Sequence, residues 1–436
     1  MKILIDGHNL ALKEPTGVGI YARNLAFQLS TLNHDVSILY GINHKNIPWL
    51  SKESQRNSFY RQLINVGEEP SKGYHKWAFY LCFYLKNILL NKGVSPETIE
   101  LNKVSSILKE KIPKNSNIFN LINIFRVSQA FSAVTGLSIP IDQPVQFKDI
   151  DIFHSTMPLP LRKKNSFKKV VTLHDLIPLK LSKSIRVNVA FYRKILRASL
   201  KDADLIFSIS EQTKIDAIEL LGINPEKIHV TYQTSYIPKR LRNLSKETIN
   251  SVIRNYGLCP YKYFLFYGTL EPKKNVYRFM KAFKDSNTDC KLVVVGKDGW
   301  RLEREKKYLD YLKSIEFKKI IRIHYIDPFN LISLLKGCKA LIFPSLYEGF
   351  GLPILEAMQL GVPVITSQKG SIPEIGGDAV HYIDPYSIQE LKSAFEEFSY
   401  SETILNDLKI KGLSQSKKFS ASNYRRRLEQ GYNKLF

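Results

Sequence analysis

Short apolar runs rich in β-formers recur along the chain, with amphipathic segments between them. The first run, MKILID, leads through the loop GHNLALKEPTGVG into a helix pattern, IYARNLAFQLSTL, and then a second run, HDVSILY. A strand, a loop, a helix and a strand in this order open a doubly wound α/β unit. From about residue 50 to 148 the alternation loosens into a Lys- and Asn-rich stretch that reads as mostly helical. Within it KWAFYLCFYLKNILL (76–90) is densely apolar. Regular signals resume at DIFHS, KVVTLHDL, ADLIFSIS, EQTKIDAIELLG and KIHVTYQ, and stop at a turn-rich segment, TSYIPKRLRNLSKE (234–247). The second half repeats the alternation: strands YFLFYGTL, KLVVVGK, IRIHYI, KALIFPS, PVITS and HYID separate amphipathic helices. Four- to seven-residue β-rich runs between helices predict a second parallel sheet. The last segment, SASNYRRRLEQGYNKLF, predicts a terminal helix.

The length agrees with this division. A chain of 436 residues exceeds one compact core and most naturally forms two domains of about 200 residues each. Hydrophobic content of 44% suffices for ordinary globular cores. Cys82, Cys259, Cys290 and Cys338 lie far apart with no CxxC pair, which argues against a disulfide framework or a zinc site and suggests a reducing compartment. The opening apolar run is too short for a signal peptide, and no stretch reaches the roughly 20 apolar residues that span a bilayer.

Chemistry concentrates in FPSLYEGFGLPILEAMQLGVPVIT (343–366). ALIFPS reads as a buried strand, and in open α/β sheets ligands bind beyond the carboxyl ends of strands. Gly349 and Gly351 permit close backbone approach, and Pro353 suits the first turn of a helix beginning near Leu352. The free N–H groups of that helix form an anion site. Glu348, before the bend, is placed to accept from sugar hydroxyls, and Glu356, in the first turn, from a ribose diol. The plainer reading is a solvated Glu348 and a Glu356 that only complements the helix dipole. In GTLEPKKN, Gly268 and Thr269 end a strand, and Lys273 and Lys274 follow closely. Two ammonium groups aimed at a diphosphate stabilise the charge it gains on leaving, although a KK pair taken alone is usually a solvated surface feature. Gly17 and Gly19 in TGVG close the first loop before a helix; a lone GxG explains a turn more often than a phosphate site.

E-G-F-G-L-P-I-L-E, two glutamates with seven residues between them, resembles the signature of retaining GT-B glycosyltransferases of the family 4 type (glycosyl transferases group 1). YGTLEPKKNVYRFMKAF, LVVVGKDGW and PVITSQKGSIPEIGGDAVHYIDP are similar to that family's successive strand–turn segments. TGVGIYARNL, VTLHDLIP and FSISEQTKIDAIELLGINPEKIHV match in the first half. The likeness covers most of 1–30 and 150–436 and leaves 50–148 without a clear counterpart. It implies a GT-B fold: two Rossmann-like α/β domains whose parallel sheets face each other across a cleft. Residues 1–238 would bind the acceptor and 239–419 the nucleotide-sugar donor, with helix 420–436 crossing back to the first domain.

The resemblance also implies roles. Lys274 would meet the donor diphosphate, with Lys273 standing where the family often has an arginine, keeping the charge without the bidentate fork. Glu348 would bind sugar hydroxyls and Glu356 ribose, with the backbone of Gly349, Phe350, Gly351 and Leu352 lining the donor site beside Gly268 and Thr269. His174, in LHDL, would touch the donor sugar near its anomeric carbon, and Gly17 and Gly19 would line the phosphates. His154, Ser210 and Glu211 carry weaker expectations of facing the cleft. No protein nucleophile is assigned, because the implied reaction is a same-face displacement. One departure from the pattern is QTSYIP, which replaces the Asn-Gly turn many members carry after the strand matching IHVTY. The triplets DID (149–151) and DAD (202–204) fall at strand starts, away from the cleft, so a metal-independent enzyme without cofactor is expected.

The net charge of +24 calls for an anionic partner. A buried helix is the plainer reading of 76–90; the sharper one is an interfacial helix that, with LRKKNSFKK (161–169), meets anionic lipid. That would suit a cytoplasmic enzyme, peripheral on the inner membrane face, taking a saccharide or lipid-linked acceptor in polysaccharide, lipopolysaccharide or glycolipid synthesis. No zinc-knuckle spacing, RNP-type motif or helix-turn-helix favours nucleic acid. Two other classes stay open: a nucleotide-sugar epimerase of the same fold, and a catalytically silent membrane- or polyanion-binding protein, against which Glu348, Glu356, Lys273 and Lys274 speak.

Overall fold

The computed structural model describes residues 1–10, 17–41, 84, 85, 89, 93–99, 110–121, 123–143, 149–164, 167–181 and 188–436. Two sheets organise them. The first contains β1 (Lys2–Asp6), β2 (Asp35–Tyr40), β3 (Glu97–Ile99) and β4 (Asn117–Asn120). A small separate pair is β5 (Ile139–Ile141) with β7 (Leu161–Lys163), and β6 (Ile152–Ser155), β8 (Lys168–Leu173), β9 (Leu205–Ser208) and β10 (Ile228–Val230) complete the first sheet. Its order is β10-β9-β8-β6-β1-β2-β4-β3, parallel except for the antiparallel edge pair β3–β4. The second sheet is fully parallel, β13-β12-β11-β14-β15-β16, built from β11 (Tyr263–Tyr267), β12 (Lys291–Val295), β13 (Ile320–Ile323), β14 (Ala340–Phe343), β15 (Val364–Ser367) and β16 (His381–Ile383).

The burial explains the sequence pattern. Every residue of β11 and β14 is buried, as two-sided cover by helices requires, and this is why those strands read as unbroken apolar runs. The stretch read as mostly helical departs from that expectation. Among its described residues, β3, β4 and β5 are strands and Ile124–Thr135 is a helix. Three- and four-residue strands are too short to show a period, and β4 carries two asparagines that weaken its signal further. Most of 76–90 lies outside the described residues; within it Tyr84 is buried and Leu89 exposed.

The chain crosses between the sheets twice. Residues 231–238 lead from β10 into the second half, and the helix Ala421–Asn433 returns to pack on helix Gly17–Thr31 and the first sheet. Its own Tyr424, Leu428 and Tyr432 form the buried face. Gly431 lets it approach closely, because a Cβ there would lie 2.5 Å from the Phe207 ring. Tyr432 Oη bonds His154 Nδ1, and His154 Nε2 bonds Thr172 Oγ1 at 2.8 Å, which in turn meets Tyr21 Oη at 2.8 Å. His154, a weak candidate for the cleft, is therefore a fully buried tie to the returning helix, and burial pushes its pKa down to about 3. A neutral ring in a dry network of hydroxyls is its stable form.

Tyr432→Phe keeps the ring but leaves His154 Nδ1 without its buried partner. A loss of about 1–3 kcal/mol in chemical denaturation is expected, and an unchanged midpoint would show that the His154 contact does not hold the helix.

Candidate active site

A cavity of about 650 Å³ opens between the two sheets. Gly17, His174, Gly268, Thr269, Lys273, Lys274, Glu348, Gly349, Phe350, Gly351, Leu352 and Glu356 all line it. Gly19 does not: helix Gly17–Thr31 already begins at Gly17, which places Gly19 within the first turn and buried, so the GxG is helix start rather than loop.

Local turns deliver the charged groups. After β11, Pro272–Lys274 forms a single 3-10 turn that ends at Asn275 in left-handed conformation, φ 62°. Asn275 Nδ2 donates to the Pro385 carbonyl at 2.6 Å, and Leu346 N donates to the Lys273 carbonyl at 2.7 Å. The lysine turn is thereby fixed against the loop that carries Glu348. That loop is held from behind by Ser371, whose N and Oγ both donate to the Glu348 carbonyl, at 3.1 and 3.0 Å. Gly370, at φ 62°, permits this contact, since a Cβ there would lie 2.5 Å from the same oxygen.

The result is a buried charge cluster. Lys274 Nζ lies 2.6 Å from Glu348 Oε1 and over the Phe343 ring; Lys273 Nζ lies 3.4 Å from both Glu348 Oε2 and Glu271 Oε1. Burial opposes ionisation of Glu348, but Lys273 and Lys274 outweigh it and hold the carboxyl down at about 2. Burial likewise opposes the charge on Lys273, and Glu348, Asp175 and Glu271 outweigh it and raise its pKa. For Lys274 burial prevails and lowers it; for Glu271 burial raises the carboxyl.

Glu356 sits in the helix Leu352–Gln359, whose N-cap is Gly351 at φ 103° with no side-chain cap bond. Its Oε2 accepts from Tyr267 Oη at 2.5 Å and its Oε1 from Ser235 Oγ at 2.9 Å. Burial raises its pKa against the lowering effect of these two bonds. A carboxylate that only complemented a helix dipole would not be gripped by two hydroxyls. Gln233, Tyr236, Ile237 and Pro238, from the stretch that departs from the expected Asn-Gly turn, line the same cavity.

The first sheet contributes His174, beyond β8. Its Nε2 donates to the Thr156 carbonyl at 2.7 Å, which fixes the tautomer and leaves Nδ1 the free acceptor. Burial lowers its pKa, favouring the neutral ring. Gly349 closes the two sides on each other: a Cβ there would lie 2.5 Å from the His174 carbonyl. Ser210 and Glu211 do not face the cavity. Ser210 caps helix Glu211–Leu221, and the backbone N–H groups of Glu211 and Gln212 bind the Glu374 carboxylate of the opposite side at 2.8 and 2.7 Å. Tyr347 Oη donates across the same gap to Asp216 at 2.5 Å. The aspartate triplets are occupied elsewhere: Asp151 accepts from Lys2 N at 2.7 Å, and Asp204 binds Lys163 at 2.6 Å.

Ser235, Tyr267, Glu271, Asp175 and Gly296 are members of the site that the motifs did not single out. Gly296 had a legible signal, a glycine directly after the strand KLVVV; at φ 136° it stands where a Cβ would collide with the Gly268 carbonyl. The others lack a motif because their roles come from contacts between distant segments.

Comparison with known proteins follows the same division. The model of glycosyltransferase family 4 matches residues 120–233, and that of glycosyl transferases group 1 matches 258–414. O-antigen chain mannosyltransferase B of Escherichia coli is 30% identical over 242 residues, 54% of this chain and 62% of that protein. Serotype-specific mannosyltransferase WbdA of Escherichia coli is 29% identical over 56% of this chain and 30% of its own length. The matched region thus spans less than two thirds of either relative. Among solved structures, Anabaena Alr3699/HepE in complex with UDP and glucose superposes with TM-score 0.65 at 13% identity, covering all of both chains. WaaG, a glycosyltransferase involved in lipopolysaccharide biosynthesis, gives TM-score 0.60 at 12% identity over 98% of each chain. The first family match begins at residue 120, so part of the stretch left without a counterpart, 120–148, has one.

Tyr267→Phe removes a short hydrogen bond to a carboxylate and is expected to cost about 1.5–3 kcal/mol. Ser235→Ala should cost less, because its longer bond links two segments that can part. Equal midpoints for wild type and Tyr267→Phe in urea unfolding would refute the grip on Glu356.

Proposed function

Because the chain belongs to the GT-B glycosyltransferases of family 4, we propose that it transfers a hexose from a nucleotide-sugar to a saccharide or lipid-linked saccharide acceptor, with retention at the anomeric carbon, in O-antigen- or lipopolysaccharide-type polysaccharide synthesis. The observation that carries this reading is the convergence of Lys273, Lys274, Glu348, Glu356 and His174 on one cavity between the two sheets. The mannosyltransferase relatives support a sugar-transferring role in that setting.

In this reading the donor diphosphate takes the place of the Glu348 carboxylate as partner of Lys273 and Lys274. Both ammonium groups then lie where negative charge grows as the bond between the anomeric carbon and the diphosphate oxygen breaks. Glu348, relieved of its lysine partners, accepts from sugar hydroxyls, and Glu356 accepts from the ribose. The acceptor hydroxyl attacks from the face the diphosphate leaves, and its proton passes to a departing phosphate oxygen. Neutral His174, with Nδ1 free, accepts a hydrogen bond near the reacting carbon. The reaction is proposed to need no metal: two lysines supply the positive charge, and DID and DAD are engaged with lysines and backbone elsewhere. The enzyme is proposed to act from the cytoplasm, at the inner face of a membrane that carries the acceptor. Among the described residues no helix is long and apolar enough to cross a bilayer.

A thermal-shift panel of GDP, UDP, dTDP, ADP and their sugar conjugates, with and without EDTA, tests the donor site. One base is expected to stabilise the protein by about 2.7 kcal/mol at 100 times its dissociation constant, unaffected by EDTA and abolished by Glu356→Ala. With that donor, Lys274→Ala is expected to lower turnover about a hundredfold or more while the protein stays folded. Near-normal transfer by this variant would refute the phosphate role. Release of free nucleotide and an altered sugar without acceptor would identify an epimerase instead.

A further inference from the structure

Two helices of the first half lie side by side on one face of their sheet. Lys194 Nζ donates to the Val134 carbonyl at 2.9 Å, and Ser138 Oγ donates to the Ala198 carbonyl at 2.8 Å, which ties helix Ile124–Thr135 and the residues after it to helix Val189–Lys201. Neither helix contains an aspartate or glutamate, while between them they carry Arg126, Arg193, Lys194, Arg197 and Lys201. The second helix buries Leu196, Ala198, Ser199 and Leu200 and turns Phe191, Lys194, Arg197 and Lys201 outward. Large apolar side chains stand among these cations: Val134 is 68% exposed, Leu137 58% and Phe191 48%.

Asp202, the C-cap beside Lys201, offers an acid at one end only; Arg126, Arg193, Lys194 and Arg197 have none on either helix, so this stripe repels itself and gains from an anionic surface. Exposed apolar side chains in its midst gain only if that surface also offers hydrocarbon. We propose that this face of the first half docks on an anionic lipid bilayer, its lysines and arginines at the headgroups and Val134, Leu137 and Phe191 at the acyl boundary. A nucleic acid would satisfy the cations but not Val134 or Leu137, which have no π-face on which a base can stack. The surface differs from the two segments read as lipid-facing from sequence: one lies mostly outside the described residues, and the other forms β7 and β8, with Lys169 fully buried and donating to the Leu161 and Ser199 carbonyls.

Helix Val189–Lys201 follows β8, whose carboxyl end delivers His174 to the cavity. Docking this face therefore holds the cavity's first-half side near the membrane, where a lipid-linked acceptor would lie. Its purpose rests on the acceptor proposed above, but the binding itself does not.

The test is co-sedimentation of the full chain with phosphatidylcholine vesicles and with vesicles in which about a third of the lipid is phosphatidylglycerol. Wild type is expected to pellet with the anionic vesicles only. Lys194→Glu/Arg197→Glu should weaken that partitioning about tenfold or more. Arg197→Glu alone, which breaks no internal bond, should weaken it severalfold. Val134→Ser/Leu137→Ser/Phe191→Ser should keep binding at low salt and lose what survives about 0.5 M salt. Lys307→Glu/Lys318→Glu, the same charge change on exposed residues of the second half, should leave binding within about twofold. Equal weakening by the two charge pairs would overturn the proposal, as would a wild type that binds an RNA homopolymer but not the anionic vesicles. Each variant's nucleotide-induced thermal shift, expected unchanged, separates failure of the surface from failure of the donor site.

Discussion

The contact between Glu348 and the two lysines constrains the site more than any other. A carboxylate and two ammonium groups removed from water are tolerable only as partners; withdrawing one leaves a buried charge that costs several kcal/mol. The loop after β14 and the turn after β11 must therefore stay in register, and the local structure serves that requirement. The backbone bond from Leu346 to Lys273, the double donation from Ser371 and the left-handed Gly370 all fix Glu348 relative to Lys273 and Lys274. Gly349 then lies against the His174 carbonyl with no room for a side chain, so the same loop sets how closely the two sides of the cavity approach.

With Glu271 and Asp175 included, three acids face two lysines, and the cluster carries no surplus of positive charge. A dianionic ligand group entering it cannot simply add to the positive charge. It must compete with Glu348 for Lys274 at 2.6 Å, and a released Glu348 needs new donors. Sugar hydroxyls carried by the same ligand are donors of the right kind. A free diphosphate brings none, and an uncharged sugar does not free the acid. Exchange of partners within one ligand thus favours a molecule that presents both groups together.

Much of this arrangement was legible in the sequence because it depends on short segments. Strands β11 and β14 are unbroken apolar runs, and the glycines, Pro353 and the two glutamates of 348–356 mark a strand end, a bend and a helix start within nine residues. The GTLEPKKN turn is equally local. What could not be read depends on segments far apart in the chain. The partners of Glu356 are Tyr267 and Ser235, 89 and 121 residues away. The burial of His154 follows from a tyrosine 278 residues later. Gly19 was misread because a glycine pair before a helix looks the same whether the helix starts after it or on it. The strands of 97–141 escaped notice because three or four residues carry no usable period.

The two crossings between the sheets both run beside the cavity, and this links its contents to the arrangement of the halves. At the first crossing Ser235 bonds Glu356 and Tyr232 holds φ 58°, a left-handed conformation that costs a non-glycine residue about 1 kcal/mol or more. It is kept there by Phe419 at 5.4 Å and by the Arg427 guanidinium at 4.8 Å, both from the returning C-terminal segment. Phe419 also meets Phe350 of the site loop at 5.7 Å. A strained residue of the outgoing segment is thus clamped by the returning one, and the clamp rests on the loop that holds Glu348. A group that draws Glu356 away from Ser235, or moves Phe350 with its loop, perturbs both crossings at once. The halves cannot rearrange without the cavity sensing it, and the cavity cannot be filled at Glu348 and Glu356 without the halves responding.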